Sequence, residues 1–430
     1  AHTHQCEPWQ AFAEPPLFAD YYRPVVSLVW WVHWTLFQAS PFAHQIAFGM
    51  WWLAILVLLY LWGRDGEGEL SGLFPGLVFL SAIPIQNVLV WKSWLTVVCE
   101  LTFFLSALLF LRGSIKSPSK KKWALTFLFF LAACLCKESA LLSLPFAFGA
   151  LILASQQISQ RRRIALLLPT FILAGVLFVV TPTLKRFLFE EGKVLLGPAY
   201  VFDSISYYAS VIWSSLFLKA VGFLVVSYHL YMAGKKWLPG TIALCVLSVV
   251  AYILARNYNV SSQHALSLGL MVYFHGLWIS PCRRRLAVPL VWFMITFWAL
   301  PAIRLKAIAY AMDTAVAFSL LLGLAVFHAL QHLWREEISL VHRPRWFVPV
   351  TGLLILSLLL PLSIYASMRD FFGWAGYVEV AYHDRARVVL RKVIDDLAAF
   401  KSWPVVYMNL GYRIGLETNL ALIDRKSTRL

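Results

Sequence analysis

The stretch Trp94–Leu153 reads WLTVVCELTFFLSALLFLRGSIKSPSKKKWALTFLFFLAACLCKESALLSLPFAFGALIL. Three apolar runs, 94–112, 123–136 and 139–153, are divided by a basic turn and by the pair Lys137–Glu138. A helix of ~20 apolar residues matches the hydrocarbon thickness of a bilayer, and shorter ones suffice where they are buried among others. The basic turn holds Arg112, Lys116, Lys120, Lys121 and Lys122, the mark of a loop on the cytoplasmic side. The stretch therefore predicts consecutive membrane helices.

The same alternation fills most of the chain. Segments 45–63, 73–91, 164–182, 216–233, 239–255, 265–280, 287–301, 309–333 and 346–366 join the first three, giving twelve expected spans. Of the 430 residues, 60% are apolar, 16% aromatic and only 13% charged. A soluble domain carries about 25% charged residues, and a soluble chain this apolar would expose large hydrophobic patches. A soluble globular enzyme, a disordered chain and a disulfide scaffold are excluded.

The net charge of +16 has a topological explanation. One set of loops holds Arg64, Arg112, Lys116, Lys120, Lys121, Lys122, Arg161, Arg162, Arg163, Lys235, Lys236, Arg283, Arg284, Arg285, Arg335, Arg343 and Arg345. The intervening short loops hold only Lys92, Lys137, Arg256, Arg304 and Lys306. The positive-inside rule places the first set in the cytoplasm and leaves no reason to invoke nucleic acid.

Four larger pieces then face outward: 1–44, 183–215, 256–264 and the chain after 366. A first domain, 1–44, is expected to be an outer loop with an interfacial helix, followed by a helix bundle over 45–366. In 367–424, helical periodicity over Asp384–Phe400 precedes Pro404 and the strand-like Val405–Leu410, as in the start of a small α/β outer domain. The last six residues, Arg425–Leu430, break from what precedes them and are expected to be a non-native tail. A chain that begins outside also implies a further helix upstream, or thirteen spans in a whole protein.

Six cysteines, at 6, 99, 134, 136, 245 and 282, show no disulfide framework. Cys134 and Cys136, two apart on a helix, do not share a face. His328 and His332 have helical spacing without the Glu of a zinc-protease motif, and are expected at the membrane interface. His2, His4 and Cys6 could meet a metal; otherwise no ligand set for a divalent ion is visible. No cofactor is expected, with a divalent metal left open.

A charge inside a bilayer costs ~2.5–3.5 kcal/mol on insertion scales, so it must snorkel, pair or line a wet cavity. Glu100 lies mid-span with no snorkelling route; it forms an interhelical hydrogen bond or belongs to a site. Lys137 and Glu138 form a structural ion pair or face a cavity. Arg23 precedes Pro24 and the run Val25–Phe37, too short to span and therefore an interfacial or re-entrant helix. With Pro24 in its first turn, the free donors of that helix and Arg23 suit an outward-facing anion site, unless Arg23 anchors a lipid headgroup beside Tyr21 and Tyr22.

The order FADYYRPVVSL, SPFAHQIAFGMWWLAILVLLYLW, IPIQNVLVWKSWLTVVCELTFFLSALLFLR and ALTFLFFLAACLCKESALLSLPFAFGALIL resembles the polyprenyl-phosphate-sugar-dependent glycosyltransferases of the GT-C fold, nearest the protein O-mannosyltransferases and their bacterial relatives. The resemblance covers about residues 18–155. It rests on the Tyr-Tyr-Arg-Pro opening, on Pro41, Phe42 and His44, and on Lys137–Glu138. The family's His-Pro-x-His-x-Glu stretch is here Ile83-Pro84-Ile85-Gln86-Asn87, so a catalytic role is not expected of that loop.

The resemblance implies a multi-pass enzyme of a bacterial inner membrane, active on the periplasmic face. Its partners would be the bilayer, a polyprenyl-phosphate sugar and an acceptor protein or glycan. A carboxylate would take the proton of an acceptor hydroxyl, whose oxygen attacks the anomeric carbon with inversion. Asp20 is the best visible stand-in for the family's catalytic Asp, with Glu14 behind it. Arg23, Lys137, Arg304 and Lys306 would neutralise the departing phosphate. Tyr21, Tyr22, His44, Glu100 and Glu138 would support them. Trp91 and Trp94 either stack on a sugar or belong to an interfacial belt, and 183–215, with Glu190, Glu191 and Asp203, would cover the site. The competing class is a transporter or flippase using the same intramembrane charges, but no convincing internal repeat is seen. A non-catalytic membrane scaffold with an outer sensing domain is the third reading.

Overall fold

The computed structural model describes residues 23–37, 40–65, 68–82, 95–156, 158–180, 197–214, 216–234, 237–302 and 311–337. Among them are thirteen α-helices and no strand. These are α1 (Pro24–Phe37), α2 (Pro41–Arg64), α3 (Glu69–Ser81), α4 (Leu95–Lys116), α5 (Lys120–Cys136), α6 (Glu138–Ala154) and α7 (Gln160–Val180). They continue as α8 (Pro198–Ile212), α9 (Leu216–Ala233), α10 (Leu238–Asn257), α11 (Ser262–Phe274), α12 (Arg283–Ala299) and α13 (Met312–Glu337). The span expected at 346–366, the α/β outer domain and the tail 425–430 lie outside the described residues.

Four stretches, Phe42–Arg64, Leu95–Lys116, Leu238–Asn257 and Met312–Leu333, are long and apolar enough to cross a membrane. The chain is a multi-pass membrane protein. The other helices are shorter or more broken: Pro75, Pro145, Pro169 and Pro289 lie inside α3, α6, α7 and α12. Membrane helices tolerate such prolines because their neighbours satisfy the freed carbonyls.

Local chemistry sets the ends. Pro24 sits at the first position of α1, where its fixed φ suits a helix and its missing N–H costs nothing. Ser40 caps α2 by accepting from the Ala43 N–H at 3.4 Å, again with a proline next. Lys137 is extended (φ −161°, ψ 145°), which breaks what would be one long helix into α5 and α6. Asn259, at φ 61°, turns the chain between α10 and α11, a conformation Asn tolerates better than most residues.

α13 is the axis of the bundle. Its spanning window is 94% buried, against 6% for α10 at the periphery. α3, α12, α9 and α8 pack on α13. Gly323 allows a close approach: a Cβ there would stand 2.5 Å from the backbone N of Pro75 in α3. A ring cluster fills the interior, with Trp213 edge-on to Phe318 (4.7 Å) and Phe104 stacked on Trp292 (4.2 Å).

Two expectations are corrected. The span expected at 73–91 is described as a helix only to Ser81; Ala82 is extended, and 83–94 lie outside the described residues. The piece 183–215, read as an outer loop, contains α8. Its Ile205, Tyr208, Ala209 and Ile212 recur at helical spacing and are buried, the single apolar stripe of a helix lying on a core.

Candidate functional site

Lys137 is the centre of the most unusual polar cluster. Its Nζ lies 3.3 Å from Glu100 Oε2 and 3.2 Å from Asp313 Oδ2. Ser139 Oγ donates to Glu100 Oε1 at 2.5 Å. Glu100 is 1% exposed and Asp313 4%. A charge so buried is stable only when paired and hydrogen-bonded, and two carboxylates around one ammonium meet that condition. Arg23 lies within electrostatic range of both Lys137 and Cys136.

The cluster sits where helices begin. Arg23 immediately precedes α1, Lys137 precedes α6, Asp313 is in the first turn of α13, and Glu100 is about 8 Å along α4 at 1.5 Å per residue. Helix starts carry partial positive charge and unsatisfied N–H groups, which favour anions. Glu100 and Asp313 answer part of that potential from within. Arg23 adds to it from the rim: its carbonyl accepts from the Ser27 N–H at 3.1 Å, so its backbone is fixed as the first turn of α1.

A second feature lies at the second half of α1. α1 and α2 form a hairpin whose contact is an aromatic box around His44. The His44 ring lies 5.7 Å from Phe37, 6.2 Å from His33 and 6.3 Å from Trp34, in the last case stacked. Trp51 Nε1 donates to His33 Nε2 at 3.4 Å. Burial, and then the neighbouring His44, lower the pKa of His33 below its ordinary value of 6.5.

The structure therefore brings together three of the sequence-predicted residues, Arg23, Lys137 and Glu100, while His44 packs against the second half of α1. Glu138 opens α6, and its side chain is not described. Asp203 lies on α8. Glu14, Asp20, Tyr21, Tyr22, Trp91, Trp94, Glu190, Glu191, Arg304 and Lys306 lie outside the described residues, as do His2, His4 and Cys6. The partner expected for Lys137 was Glu138; the partners found are Glu100 and Asp313.

Asp313 and Ser139 were missed by sequence reasoning. Asp313 had a readable signal: a lone acid inside the expected span 309–333, as anomalous there as Glu100 in its own. His328 is buried in the protein. It lies in the part of α13 where His229 Nε2 bonds the Ala325 carbonyl at 3.0 Å and Ser280 Oγ meets His229 Nδ1 at 2.8 Å. Cys99, Cys134 and Cys136 are buried free thiols. Among the described residues no group of three His, Cys, Asp or Glu side chains is placed to hold a metal ion.

No protein-family model, no curated protein and no solved structure matches this chain.

Proposed function

We propose that the chain is an integral membrane glycosyltransferase that moves a sugar from a polyprenyl-phosphate donor to an acceptor hydroxyl at the outer face. One observation carries this reading: Arg23 and Lys137, more than a hundred residues apart in sequence, converge where α1, α6 and α13 begin. Helix starts plus a guanidinium form a site for a phosphate at membrane depth.

The geometry refines the roles. Lys137 is already neutralised by two carboxylates, so a phosphate there would compete with both. Arg23 is the phosphate contact, and Lys137 is the brace that holds the helix starts in place. Glu100 and Asp313 face Lys137 and are buried, so the carboxylate that activates the acceptor is assigned to the first outer loop, Asp20 with Glu14 behind it. That carboxylate accepts the hydroxyl proton, the oxygen bonds to the anomeric carbon, and the bond from that carbon to the phosphate oxygen breaks. The leaving group departs as polyprenyl phosphate, its growing charge met by Arg23. Arg304 and Lys306, just ahead of α13 in sequence, would add to that field.

The test is release of free polyprenyl phosphate from a panel of labelled lipid-linked sugars in proteoliposomes. Release that depends on an added acceptor supports the proposal. The second reading, a transporter or flippase, draws on the same buried Lys137 between two carboxylates, since such groups also line ion and proton paths. Acceptor-independent movement of the intact donor between leaflets, with no phosphate released, would select that reading instead.

A further inference from the structure

A groove runs along the outside of α2 and α3. It has a volume of about 300 Å³, and Leu56 and Tyr60 of α2 and Gly72, Leu73, Gly76 and Leu77 of α3 line it. Its walls are almost wholly apolar. It exists because α3 is held on its other sides. Gly323 of α13 seats against Pro75, and Gly63 and Gly72 bring α2 and α3 together so closely that a Cβ on Gly72 would lie 2.5 Å from the Tyr60 carbonyl oxygen. One turn further along, a Cβ on Gly76 would meet only Leu56 Cδ2 at 3.8 Å, so there the gap is open.

The groove has a charged end. Arg64, one turn beyond Tyr60, places its guanidinium over the Tyr60 ring, 5.7 Å from the centroid. Asp65, next in the chain, is taken by Arg112 and Lys116, and among the described residues no carboxylate pairs with Arg64. From Gly72 to Leu80 the groove extends about 12 Å at 1.5 Å per residue. That is close to the ~15 Å depth of one leaflet, half of a ~30 Å hydrocarbon core. We propose that the groove holds one acyl chain of an anionic phospholipid from the leaflet at the basic end of the bundle, with its phosphate on Arg64. The slot is one leaflet deep, apolar along its length and cationic at its mouth, which is the charge pattern of such a lipid. This inference does not depend on the transferase reading.

Native mass spectrometry of the purified protein, with phosphatidylglycerol or phosphatidylcholine of the same chain length added, tests it. The wild type should hold phosphatidylglycerol in preference to phosphatidylcholine. Arg64→Gln should lower phosphatidylglycerol occupancy about fivefold and remove the preference, the scale of one basic residue near a membrane surface. Gly76→Leu should remove both lipids, while Gly49→Leu, at a position with nothing within 4 Å, should change neither. Equal retention of the two lipids by the wild type, or an unchanged preference in Arg64→Gln, overturns the proposal. So does a lipid-free dimer that Gly76→Leu dissociates, because a second copy would then fill the groove. Arg64 is at an exposed helix end, so its variant keeps the test decisive if Gly76→Leu does not fold.

Discussion

Lys137 is an ammonium held between two carboxylates inside a bundle of apolar helices, and its removal is the most damaging single change the structure identifies. Lys137→Met leaves Glu100 and Asp313 facing each other without a cation. Loss of one partner of a buried ion pair costs about 3–5 kcal/mol. The thermal midpoint in detergent should fall sharply, and the triple variant Glu100→Gln, Lys137→Met, Asp313→Asn should recover most of the loss, because it removes the charges together. A midpoint unchanged in Lys137→Met would mean that the cluster is wet and screened. His33 offers a gentler test. Its folded-state pKa is depressed, so its neutral form is the stable one. Its contribution is complete above the ordinary value of 6.5 and is lost as pH falls through the lower folded value. Protonation also removes the acceptor for Trp51 Nε1. Tryptophan fluorescence should therefore change as the pH falls below the ordinary imidazole value of 6.5, and His33→Phe should abolish that transition.

At the scale of the helices, close approach is set by glycine. A Cβ on Gly323 would stand 2.5, 2.7 and 2.8 Å from backbone atoms of Pro75 and Phe74, which cannot rotate away as a side chain can. Gly323→Leu should separate α3 from α13 and cost at least ~1–3 kcal/mol, the range for overpacking, seen as a smaller monodisperse fraction in size-exclusion chromatography. Gly49→Ala, in open space, should leave that fraction unchanged. The helices themselves were legible in the sequence. Pro24, the Ser40–Pro41 cap and the Lys137–Glu138 break each mark an end by ordinary stereochemistry, and α1 begins and ends where its proline and its apolar run do. α8 was not legible as a helix because its polar Asp203, Ser204 and Ser206 dilute a stripe too short to register as a span. The partners of Lys137 were hidden for a different reason. Glu100 and Asp313 are 37 residues before it and 176 after it, and local pattern says nothing about which helix ends meet across a bundle.

At the scale of the molecule, the long-range ion pairs tie together the ends that the charge alternation assigns to one side. Arg112, at the end of α4, meets Asp65, next to Arg64 at the end of α2, at 3.0 Å; Arg64 and Arg112 both belong to the basic set. Glu100, Lys137 and Asp313 join the opposite ends. The bundle is thus basic at one end, while at the other several helix starts surround a nearly neutralised cluster with Arg23 beside it. The proposed lipid-phosphate site at the second end rests on this polarity. The most direct measurement is turnover of a lipid-linked sugar, read as free polyprenyl phosphate, by wild type and Arg23→Ala at equal protein levels in proteoliposomes. Removal of one fixed group that meets transition-state charge costs about 10²–10³ in rate, so turnover should fall by about that factor, with the thermal midpoint unchanged and Arg23→Lys recovering part of the rate. Equal turnover by wild type and Arg23→Ala would contradict the account.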